Sequence, residues 1–156
     1  MTPTLRDATI ADAGLIAGFV RELAEYEKLL HEVVATAADY ATGLTRQSFS
    51  AMIAERNGAP VGFALWFASY STFTGKPGLY LEDLYVKPEH RGHGVGRAML
   101  RDLARRALAG GYVRLEWSVL DWNKPAIDFY RSIGARPMDE WTKQSMDIAA
   151  IAALAE

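Results

Sequence analysis

The sequence predicts one mixed α/β (α+β) domain whose central sheet is mostly antiparallel and is flanked by helices. Three observations favour this fold class: segments with helical apolar spacing alternate with short β segments, the chain has 156 residues, and half of them are hydrophobic. A chain of this length buries a sizeable core without disulfides or metal ions. No repeat or linker divides residues 1–156, so we expect a single domain.

The first part of the chain predicts a strand followed by two helices. Residues 4–8 form the candidate strand, and Thr9, with Asp12 three residues later, is typical of a helix N-terminus. Apolar residues then recur at helical spacing over residues 15–30, which predicts an amphipathic helix of about five turns. The same capping pattern at Thr36 predicts a short second helix.

The middle of the chain changes to a strand pattern. Residues 49–55 and 61–68 predict two strands, and Asn57-Gly58 between them predicts a tight hairpin turn. Residues 69–78 are polar and contain glycine, so we expect a loop there. Residues 79–86 predict a third strand of the sheet.

The last part of the chain predicts helix, strand, helix and strand. Residues 95–108 have one apolar face and one arginine-rich face, and Gly110-Gly111 ends this helix. Residues 113–119 predict a strand, residues 124–133 a short helix, and residues 141–148 a final strand.

Composition excludes several classes of protein. Seventeen basic and nineteen acidic residues give a net charge of −2, which disfavours a dedicated nucleic-acid-binding protein. The absence of cysteine excludes disulfide frameworks, thiolate nucleophiles and iron–sulfur sites, and the three histidines lack metal-ligand spacing. Residues 1–12 lack a signal-peptide pattern, and no apolar run approaches the ~18 residues that span a bilayer. We expect a cytoplasmic protein with no metal, membrane or nucleic-acid partner.

Glycines and arginines cluster where a predicted strand gives way to a helix. The residues are Arg91, Gly92, His93, Gly94, Val95, Gly96 and Arg97. A helix N-terminus attracts phosphate groups, and glycines let the backbone approach them closely. The cluster is not a dinucleotide-binding fingerprint, because the third glycine would fall at Arg97, and the chain has no Gly-Lys-Ser/Thr. The alternative is a glycine-rich turn without a ligand.

The cluster reads R-x-x-G-x-G and is similar to the acyl-coenzyme A pyrophosphate signature of the GNAT acetyltransferase superfamily. Three further segments resemble the diamine (spermidine/spermine) and thialysine N-acetyltransferase branch of that superfamily. They are residues 21–27 (RELAEYE), 81–86 (LEDLYV) and 119–135 (VLDWNKPAIDFYRSIGA). The similarity runs, with gaps, from Arg6 to about Pro137.

The resemblance implies a GNAT fold whose sheet is splayed at the acetyl-CoA site. It implies transfer of acetyl from acetyl-CoA to a primary amine of a small molecule, directly in a ternary complex, by a homodimer without a metal. A thialysine- or lysine-like amine or a diamine fits best, since residues 69–74 lack the acidic residue of polyamine-acetylating members. Two alternatives stay open: a non-catalytic acyl-CoA-binding sensory domain, and an acetyltransferase acting on protein N-termini or lysines.

Two residues are the candidate catalytic groups. An alkyl ammonium has a pKa of about 10.4 and must lose a proton before attack, so a carboxylate in the strand is the candidate base. Glu82 is the favoured carboxylate and Asp83, expected on the opposite face, the weaker one. Tyr130 stands where the family places its general acid. The alternatives are a solvated Glu82 and a tyrosine that only packs in the core.

The resemblance also implies the binding residues. The acetyl-CoA site would use the backbone of one strand end, the glycine-rich loop and an asparagine: Leu84, Tyr85, Val86, Arg91, Gly92, His93, Gly94, Val95, Gly96, Arg97 and Asn123. The amine site would use Tyr26, Glu27, Glu82, Glu116, Trp117 and Ser118. Asn123 is alternatively a helix N-cap only, and Tyr26 and Glu27 are alternatively a solvated end of the first helix.

Overall fold

A computed structural model describes residues 2–156 and divides them into two compact units, of which the first ends at Ser118 and the second runs from Val119 to Glu156. The strands are β1 (Thr4–Asp7), β2 (Ser50–Arg56), β3 (Ala59–Ser71), β4 (Lys76–Val86) and β5 (Leu115–Glu116). The helices are α1 (Ala13–Tyr26), α2 (Ala37–Thr45), α3 (Val95–Ala109), α4 (Lys124–Ser132) and α5 (Ile148–Leu154). The single domain that the sequence predicts stays a prediction.

The first unit contains one mixed sheet in the order β1-β2-β3-β4-β5. Its first four strands pair antiparallel, and β5 pairs parallel to β4. Among residues 2–156, the β4–β5 ladder joins only Leu79 to Leu115 and Tyr80 to Glu116. Strand β4 therefore leaves its β5 side open from Leu81 onward. The predicted mixed sheet, mostly antiparallel and flanked by helices, is confirmed.

Two helices pack on this sheet through the apolar faces that their sequences predict. Ile16 and Phe19 of α1 are buried against β2, β3 and β4, and the Phe19 ring stacks on Phe63 with 5.4 Å between centroids. Helix α3 buries Val95, Met99, Leu100, Leu103 and Ala107, whereas Leu108 near its end is exposed. Helical spacing puts each set of apolar side chains on one face, and burying it holds the helix against the sheet.

The hairpin turns agree with the sequence at one site and differ at another. Asn57 and Gly58 both take left-handed backbone angles, as a tight β2–β3 turn requires. The loop predicted over residues 69–78 is wrong, because β3 and β4 extend through most of it and leave only residues 72–75 as a turn. Gly78 permits this pairing, since a Cβ there would lie 2.8 Å from the Ser69 hydroxyl oxygen.

Three sequence expectations about where elements lie or end are corrected. Helix α1 stops at Tyr26, because Lys28 takes a left-handed φ of 63°. The strand predicted over residues 113–119 shrinks to β5, and residues 141–148 form no strand. A segment with a β pattern forms a strand only where it pairs with another strand. Residues 113–119 pair with β4 at two positions only, and residues 141–148 pair with no strand. Helix α5 forms from the alanine-rich tail instead, with Asp147 as its N-cap.

Candidate active site

Strand β4 carries a β-bulge at the two acidic residues that the sequence singles out. Leu65 of β3 lies opposite Asp83, and Trp66 lies opposite Leu81, so Glu82 is the extra residue. A bulge interrupts the regular alternation of a strand and turns side chains away from their expected direction. It lies on the stretch of β4 that β5 does not cover.

The two carboxyl groups at the bulge lie in different environments. Glu82 is exposed, whereas Asp83 is only partly accessible. Burial is the largest cause that raises the pKa of Asp83 to about 7, and the negative charges of Glu82 and Glu27 raise it further. Asp83 therefore titrates close to neutral pH, a property expected of a group that exchanges protons in a reaction.

The end of α1 brings a third carboxyl group to this region. Glu27 follows the last residue of α1, and burial raises its pKa. Because its charge acts on Asp83, the end of α1 and the bulge of β4 lie close together. Tyr26, an exposed aromatic residue, precedes Glu27 on the helix. The structure thus brings together Tyr26, Glu27 and Glu82, three of the predicted amine-site residues.

The other predicted amine-site residues lie beside the beginning of β4. Glu116 pairs with Tyr80 in the sheet and forms an ion pair with Arg114 at 2.7 Å. The Ser118 hydroxyl lies 3.1 Å from the Tyr80 hydroxyl, and Trp117 stands between Glu116 and Ser118 in the chain. Glu116 is thus paired with Arg114, whereas the carboxyl groups near the bulge are those of Glu27, Glu82 and Asp83.

The glycine-rich loop leads directly into the N-terminus of α3. Gly92 and Gly94 take left-handed angles, with φ of 76° and 79°, and Gly94 is the N-cap of α3. The first turn of α3 therefore presents its N–H groups next to two glycines, where no side chain keeps a ligand from the backbone. A cavity of about 420 Å³ lies beside this turn and is lined by Thr2, Pro3, His93, Gly94, Arg97, Ala98 and Arg101.

The remaining loop and strand residues fall into two groups. Val95 is buried in the α3 packing face, and Gly96 follows it on the helix. Leu84 and Val86 continue β4 opposite β3, and the Tyr85 ring is buried in the core. Tyr85 is therefore available to a ligand only through its backbone.

In the second unit, Asn123 is the N-cap of α4. Its side-chain oxygen accepts a hydrogen bond from the Ala126 N–H at 3.4 Å, so Asn123 caps α4, and this capping does not decide whether it also contacts a ligand. Tyr130 lies on α4 with its ring 5.6 Å from the Phe129 ring. The roles of Asn123 toward acetyl-CoA and of Tyr130 as general acid stay predictions.

Two residues near the site, Tyr40 and Glu22, are not predicted as site residues from the sequence. Tyr40 of α2 lies near Asp83, whose charge adds to burial in raising the pKa of Tyr40. Glu22 of α1 lies near Tyr85 and adds to burial, the main cause, in raising the pKa of Tyr85 to about 12. No sequence signal links residues so far apart in the chain, because only the packing of α1 and α2 on the sheet brings them together.

Comparison with known proteins identifies the family. The model of the acetyltransferase (GNAT) family matches residues 17–135. The chain belongs to this family. The GNAT protein is therefore an acetyltransferase, and the resemblance read from residues 21–27, 81–86 and 91–97 is confirmed. The non-catalytic alternative loses its support.

Individual relatives and one solved structure agree with this assignment. A thialysine N-epsilon-acetyltransferase from Sus scrofa is 42% identical over 146 residues, covering 87% of this chain and 85% of the relative. The spermidine/spermine N(1)-acetyltransferase-like protein 1 from Homo sapiens is 35% identical over 84% of this chain and 20% of its own length. An integron cassette protein from V. cholerae has the same fold, with a TM-score of 0.82, 24% identity and coverage of 100% and 99%.

Residues 2–156 contain neither a membrane-spanning helix nor a cluster of metal-ligating side chains. No helix in that range is long and apolar enough to cross a membrane. The same residues contain no group of three or more His, Cys, Asp or Glu side chains placed to hold a metal ion.

Proposed function

We propose that this GNAT acetyltransferase moves acetyl from acetyl-CoA to a primary amine of a small molecule, a thialysine- or lysine-like amine or a diamine. The observation that carries the proposal is the group of three carboxyls, Glu27, Glu82 and Asp83, where α1 ends near the bulge of β4. Negative charge in a partly desolvated site favours a bound ammonium ion. The relatives named as thialysine acetyltransferases support the same acceptor class.

The donor site that we propose is the open side of β4 and the loop before α3. Backbone N–H groups of Leu84 and Val86 would bind the acyl and pantetheine part, as oxyanion donors do in other acyl transfers. The pyrophosphate would lie at Gly92 and Gly94, where the N-terminus of α3 and Arg97 attract negative charge. We propose that Asn123, which also caps α4, contacts the pantetheine arm.

The transfer that we propose is direct, with both substrates bound together. A carboxylate takes one proton from the ammonium, and the amine nitrogen then attacks the thioester carbonyl carbon. The C–S bond breaks, the amide forms, and the Tyr130 phenol donates its proton to the thiolate of coenzyme A. The nitrogen gives up its second proton to solvent as the amide forms, and Tyr130 takes a proton back from solvent, so that the net products are one amide, one thiol and one proton. No covalent enzyme intermediate is needed.

Two carboxylates compete for the role of base. The sequence favours Glu82 as the base, whereas the burial of Asp83 favours Asp83. An ordinary aspartate lies more than about six pKa units below an alkyl ammonium, and a carboxyl with a pKa of about 7 lies only about three units below it. Each unit costs about 1.4 kcal/mol in proton transfer, so Asp83 takes the proton with a much smaller penalty.

The experiment that tests the proposal measures coenzyme A release from acetyl-CoA with a panel of amines. The panel contains thialysine, lysine, diamines, spermidine and short peptides with free N-termini or lysines. We expect turnover with a small amine and little with spermidine or peptides. Turnover with peptides alone would replace the proposed acceptor by a protein substrate. Acetyl-CoA binding without turnover on any amine would refute the proposed function.

We also propose that the protein is a homodimer in the cytoplasm. The support for the dimer is that the second unit exposes seven large apolar side chains: Trp122, Met138, Trp141, Met146, Ile148, Ile151 and Leu154. The cytoplasmic location rests on the sequence alone. Light scattering after gel filtration should give twice the chain mass, and Trp141→Lys should shift the protein toward monomer. Phe73→Lys, which removes a fully exposed ring from the first unit, is the control.

A further inference from the structure

Arg91, the first residue of the glycine-rich loop, turns its side chain toward helix α1 and strand β4. Its guanidinium carbon lies 4.8 Å from the centre of the Tyr26 ring and 5.5 Å from the centre of the Tyr85 ring. Its Nε donates a hydrogen bond of 2.8 Å to the carbonyl oxygen of Val86. One side chain thus contacts the end of α1, the end of β4 and, through its own backbone, the loop.

The two tyrosines that Arg91 contacts differ in exposure. Tyr85 is 6% exposed and packs against Phe19, so its ring is fixed by the core. Tyr26 is 38% exposed and is the last residue of α1. Helix ends fray unless side-chain contacts hold them. Arg91 therefore connects a fixed ring to an exposed ring at the end of a helix.

We propose that Arg91 is a positioning residue for the amine site, which fixes Tyr26 beside the carboxyl groups and thereby sets amine affinity. This inference rests on the proposed amine acetyltransferase function. It differs from the phosphate contact that the family resemblance implies for Arg91, because the guanidinium faces Tyr26 and Tyr85 and its Nε bonds to the protein backbone.

Shape and charge make separable contributions to this role. The planar guanidinium stacks on aromatic rings and directs its Nε–H at Val86, whereas a lysine ammonium is a compact point charge without that geometry. A positive charge near the amine site opposes the binding of a cation. Arg91→Lys keeps this repulsion and the attraction to phosphate, and removes only the stacked, directed contact.

The test compares Arg91→Lys with the unchanged protein, with thialysine as the amine and acetyl-CoA as the donor. We expect the KM for thialysine to rise about two- to fivefold, the range of an exposed cation–π contact, while the KM for acetyl-CoA stays within about twofold. Calorimetric titration of thialysine into the complex with coenzyme A should show the same loss of affinity without turnover. Arg105→Lys, on the exposed face of α3, is the control.

A double-mutant cycle tests whether the effect passes through Tyr26. In a Tyr26→Leu background, Arg91→Lys should change the thialysine KM by less than about 1.5-fold, because the contact is already lost. Additive effects, or a rise in the acetyl-CoA KM alone, would overturn the inference and leave Arg91 as a phosphate contact. If the unchanged protein acetylates no amine, the proposed function fails. If it acetylates thialysine and Arg91→Lys leaves the thialysine KM unchanged, only this inference fails.

Discussion

Glu27, directly after helix α1, lies close enough to Asp83 on strand β4 for its negative charge to raise the pKa of Asp83. Burial is the larger cause, and Glu82 at the bulge contributes as well. Glu27 is itself withdrawn from water, which raises its own pKa. These carboxyl groups carry two energetic costs, the repulsion between their charges and the burial of those charges away from water. A cation that binds between them lowers both costs, so the site favours a bound cation.

The pH dependence of activity should identify the base. If Asp83 takes the proton, kcat/KM for the amine falls as pH drops through about 7, because the base becomes protonated. Glu82→Gln should then retain turnover and move this acidic limb to lower pH, since the charge of Glu82 no longer raises the pKa of Asp83. Asp83→Asn should lose turnover at every pH.

The opposite pattern would assign the base to Glu82. In that case Glu82→Gln loses turnover at every pH, and Asp83→Asn retains an acidic limb. Glu27→Gln serves as the electrostatic control, because it removes a charge that acts on Asp83 and should move the limb in the same direction as Glu82→Gln.

Asp83 should also make folding stability depend on pH. A carboxyl whose pKa is higher in the folded than in the unfolded protein contributes stability that is present below its ordinary pKa of 3.8 and lost as pH rises through about 7. The amide of Asp83→Asn does not ionise. The free energy of unfolding of this variant, relative to that of the unchanged protein, should therefore be higher at pH 8 than at pH 5. Urea unfolding at the two pH values measures this difference, and an equal effect at both would contradict it.

Tyr130→Phe should lower kcat while acetyl-CoA still binds. Removal of a general acid typically costs about 10²–10⁴-fold in rate, whereas the ring itself keeps its contact with Phe129. Steady-state rates and calorimetric titration of acetyl-CoA measure the two effects. Tyr70→Phe, at an exposed tyrosine of the first unit, is the matched control. Unchanged turnover in Tyr130→Phe would remove this tyrosine from the mechanism.

Asp12 should stabilise the start of the first unit through Arg6. Both carboxylate oxygens accept hydrogen bonds of 2.9 Å from the Arg6 guanidinium, and one also accepts from the Thr9 N–H. Asp12 is 8% exposed, so these bonds replace lost hydration. Asp12→Asn should cost about 1–3 kcal/mol of unfolding free energy, measured in urea.

A matched change at Asp39 tests this assignment. Asp39 forms the same capping contacts with Thr36 at the start of α2 but is exposed, so Asp39→Asn should cost less than about 1 kcal/mol. The hydrogen bond from Arg6 is the main cause that lowers the pKa of Asp12 below 3.8. Its contribution is therefore present above that value and is lost as pH falls below it. Equal losses in both variants would show that Arg6 adds nothing.

Periodicity and capping predict the parts of the fold that local sequence controls. Helices α1 and α3 follow from apolar spacing, and the Asn57-Gly58 turn from residues that tolerate left-handed angles. The extent of a strand depends on its partner, which local sequence does not show. For this reason β5 is shorter than its β pattern, and residues 141–148 form no strand.

The candidate site was predictable as a set of residues but not as an electrostatic arrangement. The glycine-rich loop is visible in the sequence because its glycines cluster between a strand and a helix, and the Glu82-Asp83 pair because two acidic residues interrupt an apolar strand. The ranking of the two carboxylates depends on the bulge opposite Leu65 and Trp66, on burial of Asp83 and on the charge that Glu27 brings to it from the end of α1. Arg91 contacts Tyr26, which is more than sixty positions away in the chain, and Tyr85, which lies on strand β4. No spacing rule predicts these contacts.

Gly62 should be required where β3 approaches the active-site strand. A Cβ at this position would lie 2.5 Å from the Tyr85 carbonyl oxygen and 3.3 Å from the Val86 Cα, both backbone atoms that cannot turn aside. Gly62→Ala should therefore cost about 1–3 kcal/mol of unfolding free energy, by the strain of overpacking. Gly18→Ala is the matched control: Gly18 occupies an exposed position of helix α1 and nothing lies within 4 Å of its added Cβ, so it should stabilise by about 0.5–1 kcal/mol. Because Gly62 pairs with Val86, Gly62→Ala should also raise the KM for acetyl-CoA, and a variant with unchanged stability and KM would show that β3 does not position this strand end.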